Sequence, residues 1–205
     1  MKILMINGSP KENGNTARAL AEMCGVFERE GVEIEYFHVG KKAISGCMGC
    51  AGCYKIKKCV MDDEVNELAR LLEECDGVVV GSPVYYAAPN GTLIALLDRL
   101  FYSTKFDKRM KVGAAVVVAR RGGCTAAFDQ LNKYFTLSGM PIASSQYWNL
   151  AHGALPGEIE GDGEGLQTMR TLAENMVFLM RSIALGKEAY GLPEKEKPMR
   201  TNFIR

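Results

Sequence analysis

Five short apolar runs alternate along this chain with five amphipathic helical stretches, and no other feature narrows the possible folds so far. The apolar runs fall at residues 2–7, 32–38, 77–81, 112–119 and about 140–144, and the helical stretches at 16–30, 63–74, 91–102, 125–137 and 166–183. In the second helical stretch Val65, Leu68, Ala69 and Leu72 recur at i, i+3, i+4 and i+7 behind an N-cap at Asp62 or Asp63, which sets an apolar stripe along one helix face. Strands joined in sequence by such helices run parallel, and a parallel sheet must be covered on both faces. The alternation therefore predicts a doubly wound α/β domain.

Directly after the first run, residues 7–16 read Asn-Gly-Ser-Pro-Lys-Glu-Asn-Gly-Asn-Thr. A glycine-framed loop that enters a helix turns unpaired N–H groups outward, and the positive end of the helix favours an anion. Ser9 and Thr16 add hydroxyl donors and Lys11 a cation. The loop lacks both the Gly-Lys-Ser/Thr ending of a nucleotide P-loop and the G-x-G-x-x-G dinucleotide fingerprint, so a terminal monophosphate such as that of FMN is the better fit. Five parallel strands with a phosphate loop after the first match the flavodoxin-like order 2-1-3-4-5, whose ligand sits where the strand order reverses, beside strands 1 and 3.

Two further loops share that edge. Ser82-Pro83-Val84-Tyr85-Tyr86 follows strand 3, where prolines fix the chain and tyrosines offer flat surfaces to a planar ring; a rigid loop with two core tyrosines is the plainer alternative. Arg120-Arg121-Gly122-Gly123 follows strand 4, where glycines allow close backbone approach and a cation near the flavin N1 and C2 carbonyl stabilises the anionic reduced ring; two surface arginines at a helix entry are the alternative.

Cys47, Cys50, Cys53 and Cys59 are spaced C-x2-C-x2-C-x5-C between strand 2 and the next helix. Three thiolates two residues apart, closed by a fourth, suit an all-cysteine [4Fe–4S] site; a metal-free thiol loop and a zinc site are the other readings. The last gap is five residues followed by Val60, where the bacterial ferredoxin run has three and a proline. Cys24 and Cys75 fit buried helix faces, and Cys124 the strand-4 loop. Neither His38 nor His152 has a visible catalytic partner. Tyr147, Trp148 and Asn149 either pin an irregular loop (146–165) or cover the flavin of a neighbouring subunit.

The 205 residues suit one domain, expected over 1–185 with the cysteine-rich loop at 44–60 and a polar tail at 186–205. With 25 basic and 24 acidic residues and no long basic cluster, neither nucleic acid nor an anionic membrane is an expected partner. No apolar run approaches the roughly 18–20 residues of a membrane helix, and no signal peptide is legible at the start, so the expectation is a cytoplasmic protein. Seven cysteines, an odd number, point to metal or redox chemistry rather than a secreted disulfide framework.

Taken together, Gly8-Ser9-Pro10-Lys11 with Asn15-Thr16, the four cysteines followed by Met61-Asp62-Asp63, Ser82-Pro83-Val84-Tyr85 leading to Asp98-Arg99, and Val112-Gly113-Ala114-Ala115 before the arginine-glycine loop resemble the iron–sulfur flavoproteins within the NAD(P)H-dependent FMN reductase group. The resemblance covers most of the chain to about Met140. It implies that Ser9, Lys11, Asn15 and Thr16 hold the FMN phosphate, that Pro83, Val84, Tyr85 and Tyr86 line the ring with Arg120, Arg121, Gly122 and Gly123 on its other side, and that Cys47, Cys50, Cys53 and Cys59 ligate a cluster. It also implies a homodimer or homotetramer with flavin near the interface.

The expected activity is an oxidoreductase that passes electrons from NAD(P)H or a reduced carrier through FMN, with no catalytic side chain, to a quinone-like or small acceptor. The alternatives are a non-catalytic flavodoxin-type carrier and an FMN or quinone reductase lacking any cluster. Flavodoxin carriers tend to be smaller and strongly acidic, unlike this near-neutral chain. A phosphoryl receiver needs an aspartate at the end of strand 3, where this chain has Gly81-Ser82.

Overall fold

A computed structural model describes residues 1–199, Thr201 and Phe203. Five parallel strands, β1 (Lys2–Asn7), β2 (Glu33–His38), β3 (Gly77–Tyr85), β5 (Val112–Ala119) and β6 (Leu150–His152), lie in the order β2-β1-β3-β5-β6. A two-residue strand, β4 (Ala88–Pro89), turns back antiparallel on the end of β3. Counted without that hairpin, the order is 2-1-3-4-5, as the alternation predicts.

The period-two strands divide their side chains between two apolar layers. Met5, Val79 and Val116 face Leu20, Met23 and Phe27 of α1 (Asn15–Arg29) together with Met169, Leu172 and Met176 of α6 (Gly163–Tyr190). Leu4, Val78, Val80 and Val117 face Leu68 and Leu72 of α3 (Glu64–Glu74), Leu93, Leu97 and Leu100 of α4 (Gly91–Ser103), and Leu131 and Phe135 of α5 (Cys124–Leu137). All eight residues of β5 are buried, the continuous apolar run of a central parallel strand. Each large side chain in these layers contributes about 1.5–3 kcal/mol of burial.

The fifth strand departs from the expected position. Residues 140–144 make only one isolated parallel bridge, Gly113 to Ile142, and the strand forms instead at Leu150–His152 against Val117, Val118 and Ala119. Pro141 offers no N–H to a ladder, and its carbonyl accepts from Gly113 N at 2.9 Å. Between the two contacts the edge chain uses eight residues to pass four of β5, so the surplus bulges outward and carries Tyr147 and Trp148 to the surface, both half-exposed. The stretch 146–165 is also less irregular than it reads, for it holds β6, a 3-10 turn (Glu158–Gly161) and the start of α6. That last helix runs to Tyr190, past the expected end near residue 183. Among the described residues no helix is long and apolar enough to cross a membrane.

Candidate functional site

A cleft of about 280 Å³ opens beyond the carboxyl ends of β1, β3 and β5. Its first wall is the loop after β1. There Asn7 Oδ1 accepts from Ser9 N at 3.0 Å, Ser9 Oγ accepts from Lys11 N at 3.1 Å, and His38 Nε2 lies 2.8 Å from the Ser9 carbonyl oxygen. Ser9 and Thr16 are buried. The loop delivers the chain to α1 with Gly14 at the N-cap and no side chain closing the helix end. The contrast within the molecule is direct, since Asp63, Asn90 and Asp162 cap α3, α4 and α6. The helix end at the cleft therefore leaves its first-turn N–H groups and positive dipole for a ligand; α5, whose N-cap is Gly123, and the four-residue helix Cys53–Ile56 also lack a side-chain cap.

Pro83, Val84 and Tyr85 form the second wall and Arg120 a third. These four and Ser9, Lys11, Asn15 and Thr16 are brought together around one space. Tyr86, Arg121, Gly122 and Gly123 do not line it. Tyr86 is fully exposed at the tip of the β3–β4 hairpin, where it and Ala87 both take left-handed backbone angles, φ 51° and 59°. Arg121 and Gly122 are exposed. Gly123, at φ +91°, packs under the same tip, and a Cβ there would lie 2.8 Å from Ala87 Cα.

Gly153 and Ala154, which follow β6, complete the lining, and sequence reasoning did not find them. They are held by Asn15, whose Nδ2 donates to the Leu155 carbonyl oxygen at 2.9 Å and whose Oδ1 accepts from Gly157 N at 3.1 Å. Both ends of that carboxamide are thus engaged by the neighbouring loop. Glu158 grips the same segment, its Oε2 accepting from Ala154 N at 2.7 Å and Leu155 N at 2.9 Å. Those two amides hold the Glu158 carboxyl below the usual carboxylate range. Arg18 of α1 ties down the 3-10 turn through Glu160 at 2.5 Å.

On the far side of β1, Cys47, Cys50, Cys53 and Cys59 all border one small cavity, together with Arg99 and Tyr102. Cys47 and Cys50 are exposed, while Cys53, at the start of α2 (Cys53–Ile56), and Cys59 are buried. Asn66 pins Cys59, accepting from its N–H at 3.0 Å and donating to its carbonyl oxygen at 3.2 Å. Among the described residues no three His, Cys, Asp or Glu groups gather closely enough to hold one metal ion. All four cysteine residues nevertheless line that one cavity. Ligands of a single zinc converge on it at about 2.0–2.3 Å, whereas cluster thiolates each bind a separate iron at a separate corner. Among the described residues, four cysteines and no histidine, aspartate or glutamate line the cavity, the donor set of an all-cysteine cluster or zinc site. Away from this edge, burial pushes the thiols of Cys24 and Cys75 up to about 11 and that of Cys124 upward.

The family model described as NADPH-dependent FMN reductase matches residues 1–154, three quarters of the chain. This chain belongs to that family. An iron–sulfur flavoprotein of Methanocaldococcus jannaschii is 32% identical over 191 residues, which cover 89% of this chain and 99% of the relative. Among solved structures, RosB with bound 8-demethyl-8-formylriboflavin-5'-phosphate superposes with a TM-score of 0.71 at 16% identity, covering 100% of this chain and 92% of that one. A flavodoxin from the domain Archaea superposes with a TM-score of 0.60 at 16% identity over 88% and 99%. As a member of the FMN reductase family, the chain is a flavoprotein oxidoreductase with the flavodoxin-like fold.

The cleft offers an uncapped helix end and hydroxyls suited to an anion, and a wall of Pro83, Val84 and Tyr85 suited to a planar ring. A wider groove of about 610 Å³ lies elsewhere, between α4 and α5. It lacks the loops at the carboxyl edge of the sheet where ligands of this fold class bind.

Proposed function

We propose that this chain binds FMN in the cleft and passes electrons from NADH, NADPH or a reduced carrier to a quinone-like or small organic acceptor, with a [4Fe–4S] cluster on Cys47, Cys50, Cys53 and Cys59 as a second redox centre. The open N-terminus of α1, with Ser9 and Thr16 buried beside it and Pro83 to Tyr85 opposite, carries this reading. Bound FMN would supply both one- and two-electron chemistry, which suits a junction between an organic donor and an iron–sulfur centre.

The protein's own part is positional and electrostatic. First-turn N–H groups of α1, the hydroxyls of Ser9 and Thr16, and Lys11 hold the phosphate; Asn15 holds the loop that walls it. Pro83, Val84 and Tyr85 support the ring, and Arg120 places positive charge beside it. Tyr86, Arg121, Gly122 and Gly123 stand behind or outside this wall, as its support and rim. The donor set and enclosure of the cysteine pocket fit an iron–sulfur cluster, and the relative's name supports that fit.

All seven cysteines are free thiols, which suits a reducing cytoplasm. The exposed Tyr86, Tyr147 and Trp148 suit a homodimer or homotetramer. Anaerobic purification with added FMN, an iron and sulfide assay, and steady-state oxidation of NADH and NADPH test the whole reading. Yellow protein that carries iron and sulfide and turns over a nicotinamide or a reduced carrier is the expected result. Flavin and turnover without iron would leave a cluster-free reductase, flavin without turnover an electron carrier, and a colourless folded chain would overturn the FMN site.

A further inference from the structure

Arg99 is 1% exposed and heads the largest fully buried side chains of the molecule. A buried guanidinium is costly unless every donor is met, and this one is. Nη1 donates to Asp63 Oδ2 at 2.6 Å and to the Ser45 carbonyl oxygen at 3.2 Å. Nη2 donates to Asp63 Oδ1 at 2.7 Å and to Cys59 Sγ at 3.2 Å, and Nε donates to the same sulfur at 3.4 Å. The five N–H donors of an arginine are thus shared between a carboxylate, a carbonyl and one cysteine sulfur.

A fork on Asp63 would satisfy a purely structural ion pair. The remaining face of the guanidinium points two donors at Cys59, one of the four cysteines around the pocket. A neutral thiol is a weak acceptor, while an ionised sulfur receives a much stronger, charge-assisted bond. The geometry is therefore suited to a Cys59 that carries negative charge as a metal ligand. Hydrogen bonds to ligand sulfurs and nearby charge are among the levers that set cluster potentials.

We propose that Arg99 is a positioning residue that raises the reduction potential of the cluster through its two hydrogen bonds to Cys59 Sγ. The assignment rests on the cluster reading given above. Its physical content is simple: adding an electron makes the cluster more negative, and a fixed cation with donors on a ligand sulfur favours that state. The equilibrium between flavin and cluster moves toward the cluster.

The test is an EPR-monitored redox titration of anaerobically reconstituted holoprotein as wild type, D63N, R99K and the double variant R99Q/D63N, with iron and sulfide measured in each. The double variant removes both buried charges together, so no lone carboxylate remains. It is expected to keep wild-type iron and sulfide and to show a more negative cluster potential with an unmoved flavin potential. D63N keeps the guanidinium on Cys59 while removing the opposing carboxylate, and is expected to shift the cluster potential in the positive direction. R99K, with charge but fewer aligned donors, is expected between wild type and the double variant.

Full iron content with a double-variant potential no more negative than that of D63N, the comparison that isolates Arg99, would overturn the assignment. If the double variant loses iron, R99K decides: an unshifted potential with full iron reduces Arg99 to a scaffold and overturns the proposal, and a negative shift sustains it. Failure of the wild type to take up iron and sulfide would overturn the cluster reading itself, and this assignment with it.

Discussion

Asn15 and Leu155 meet across the cleft, side-chain Nδ2 to carbonyl oxygen at 2.9 Å, joining the first helical residue after the phosphate loop to a segment 140 positions later. Because the same carboxamide also accepts from Gly157 N at 3.1 Å, one side chain fixes the wall that Gly153 and Ala154 present to the ligand. A net hydrogen bond contributes about 0.5–1.5 kcal/mol, so N15A should cost about 1–3 kcal/mol of stability and weaken FMN about tenfold or more. N15D keeps the acceptor and loses the donor, and should fall between. Apo-protein melts and flavin-fluorescence titrations check this, and an N15A variant with wild-type FMN affinity would remove the loop from the site.

The approach is close enough that Gly153 tolerates no side chain. A Cβ there would lie 2.6 Å from Asn15 Nδ2 and 2.9 Å from Ile159 N, the second a backbone atom that cannot swing aside. G153A should therefore lower FMN affinity by forcing the two segments apart, and N15A/G153A should lose less than the sum of the single losses, because both act on one contact. Additive losses measured by the same titrations would show that the residues act independently.

Glu158 makes the loop acid-sensitive in a definite direction. Its two amide donors depress the folded carboxyl below the unfolded value of about 4.3. Its contribution to the loop is therefore present above that value and is lost as pH falls through the lower, folded one. FMN should be released more readily as pH drops below about 4. E158Q should bind FMN more weakly at neutral pH and show a flatter acid limb. A wild-type limb unchanged by E158Q would assign the acid release to another group.

Much of this was legible in the sequence because it is local. Strand β5 announces itself as eight successive apolar residues, and the phosphate loop as glycine, hydroxyl and helix start within ten positions. The last strand was not, because Leu150-Ala151-His152 has no pattern of its own and forms only where β5 offers a free edge, while the more apolar segment around Ile142 is interrupted by Pro141. The wall at Gly153 and Ala154 was hidden for a related reason: no local rule ties Asn15 to a loop 140 residues distant. Arg99 carried a signal that was half readable. Its place after Asp98 marks a motif, but its four acceptor partners come from residues 45, 59 and 63 and appear only once α4 packs beside the cysteine loop.

Thiol chemistry separates the cysteines into two populations. Burial raises the Cys24 and Cys75 thiols to about 11, so both stay protonated and unreactive near pH 8, whereas Cys47 and Cys50 are exposed. Alkylation of the metal-free chain at pH 8, read by peptide mass mapping, should label Cys47 and Cys50 first and leave Cys24 and Cys75 unmodified until the protein unfolds. After anaerobic reconstitution Cys47 and Cys50 should become protected as well. Rapid labelling of Cys75 in the folded protein would contradict its burial at the C-cap of α3.

The phosphate grip can be isolated from the ring grip by comparing FMN with riboflavin, which has the ring and no phosphate. A hydrogen bond to a charged group contributes about 1.5–3 kcal/mol, and 1.4 kcal/mol is tenfold in affinity. Loss of the Ser9 hydroxyl in S9A or the Thr16 hydroxyl in T16V should thus weaken FMN about tenfold or more each, and leave riboflavin nearly unchanged. The effect should persist at high ionic strength, because both residues are buried and poorly screened. K11M, at an exposed lysine, should by contrast produce a smaller loss that salt erases. Equal losses for FMN and riboflavin in S9A and T16V would mean that these hydroxyls shape the loop rather than hold the anion, and the phosphate would have to be sought elsewhere, first at the uncapped start of α5 beside Gly123.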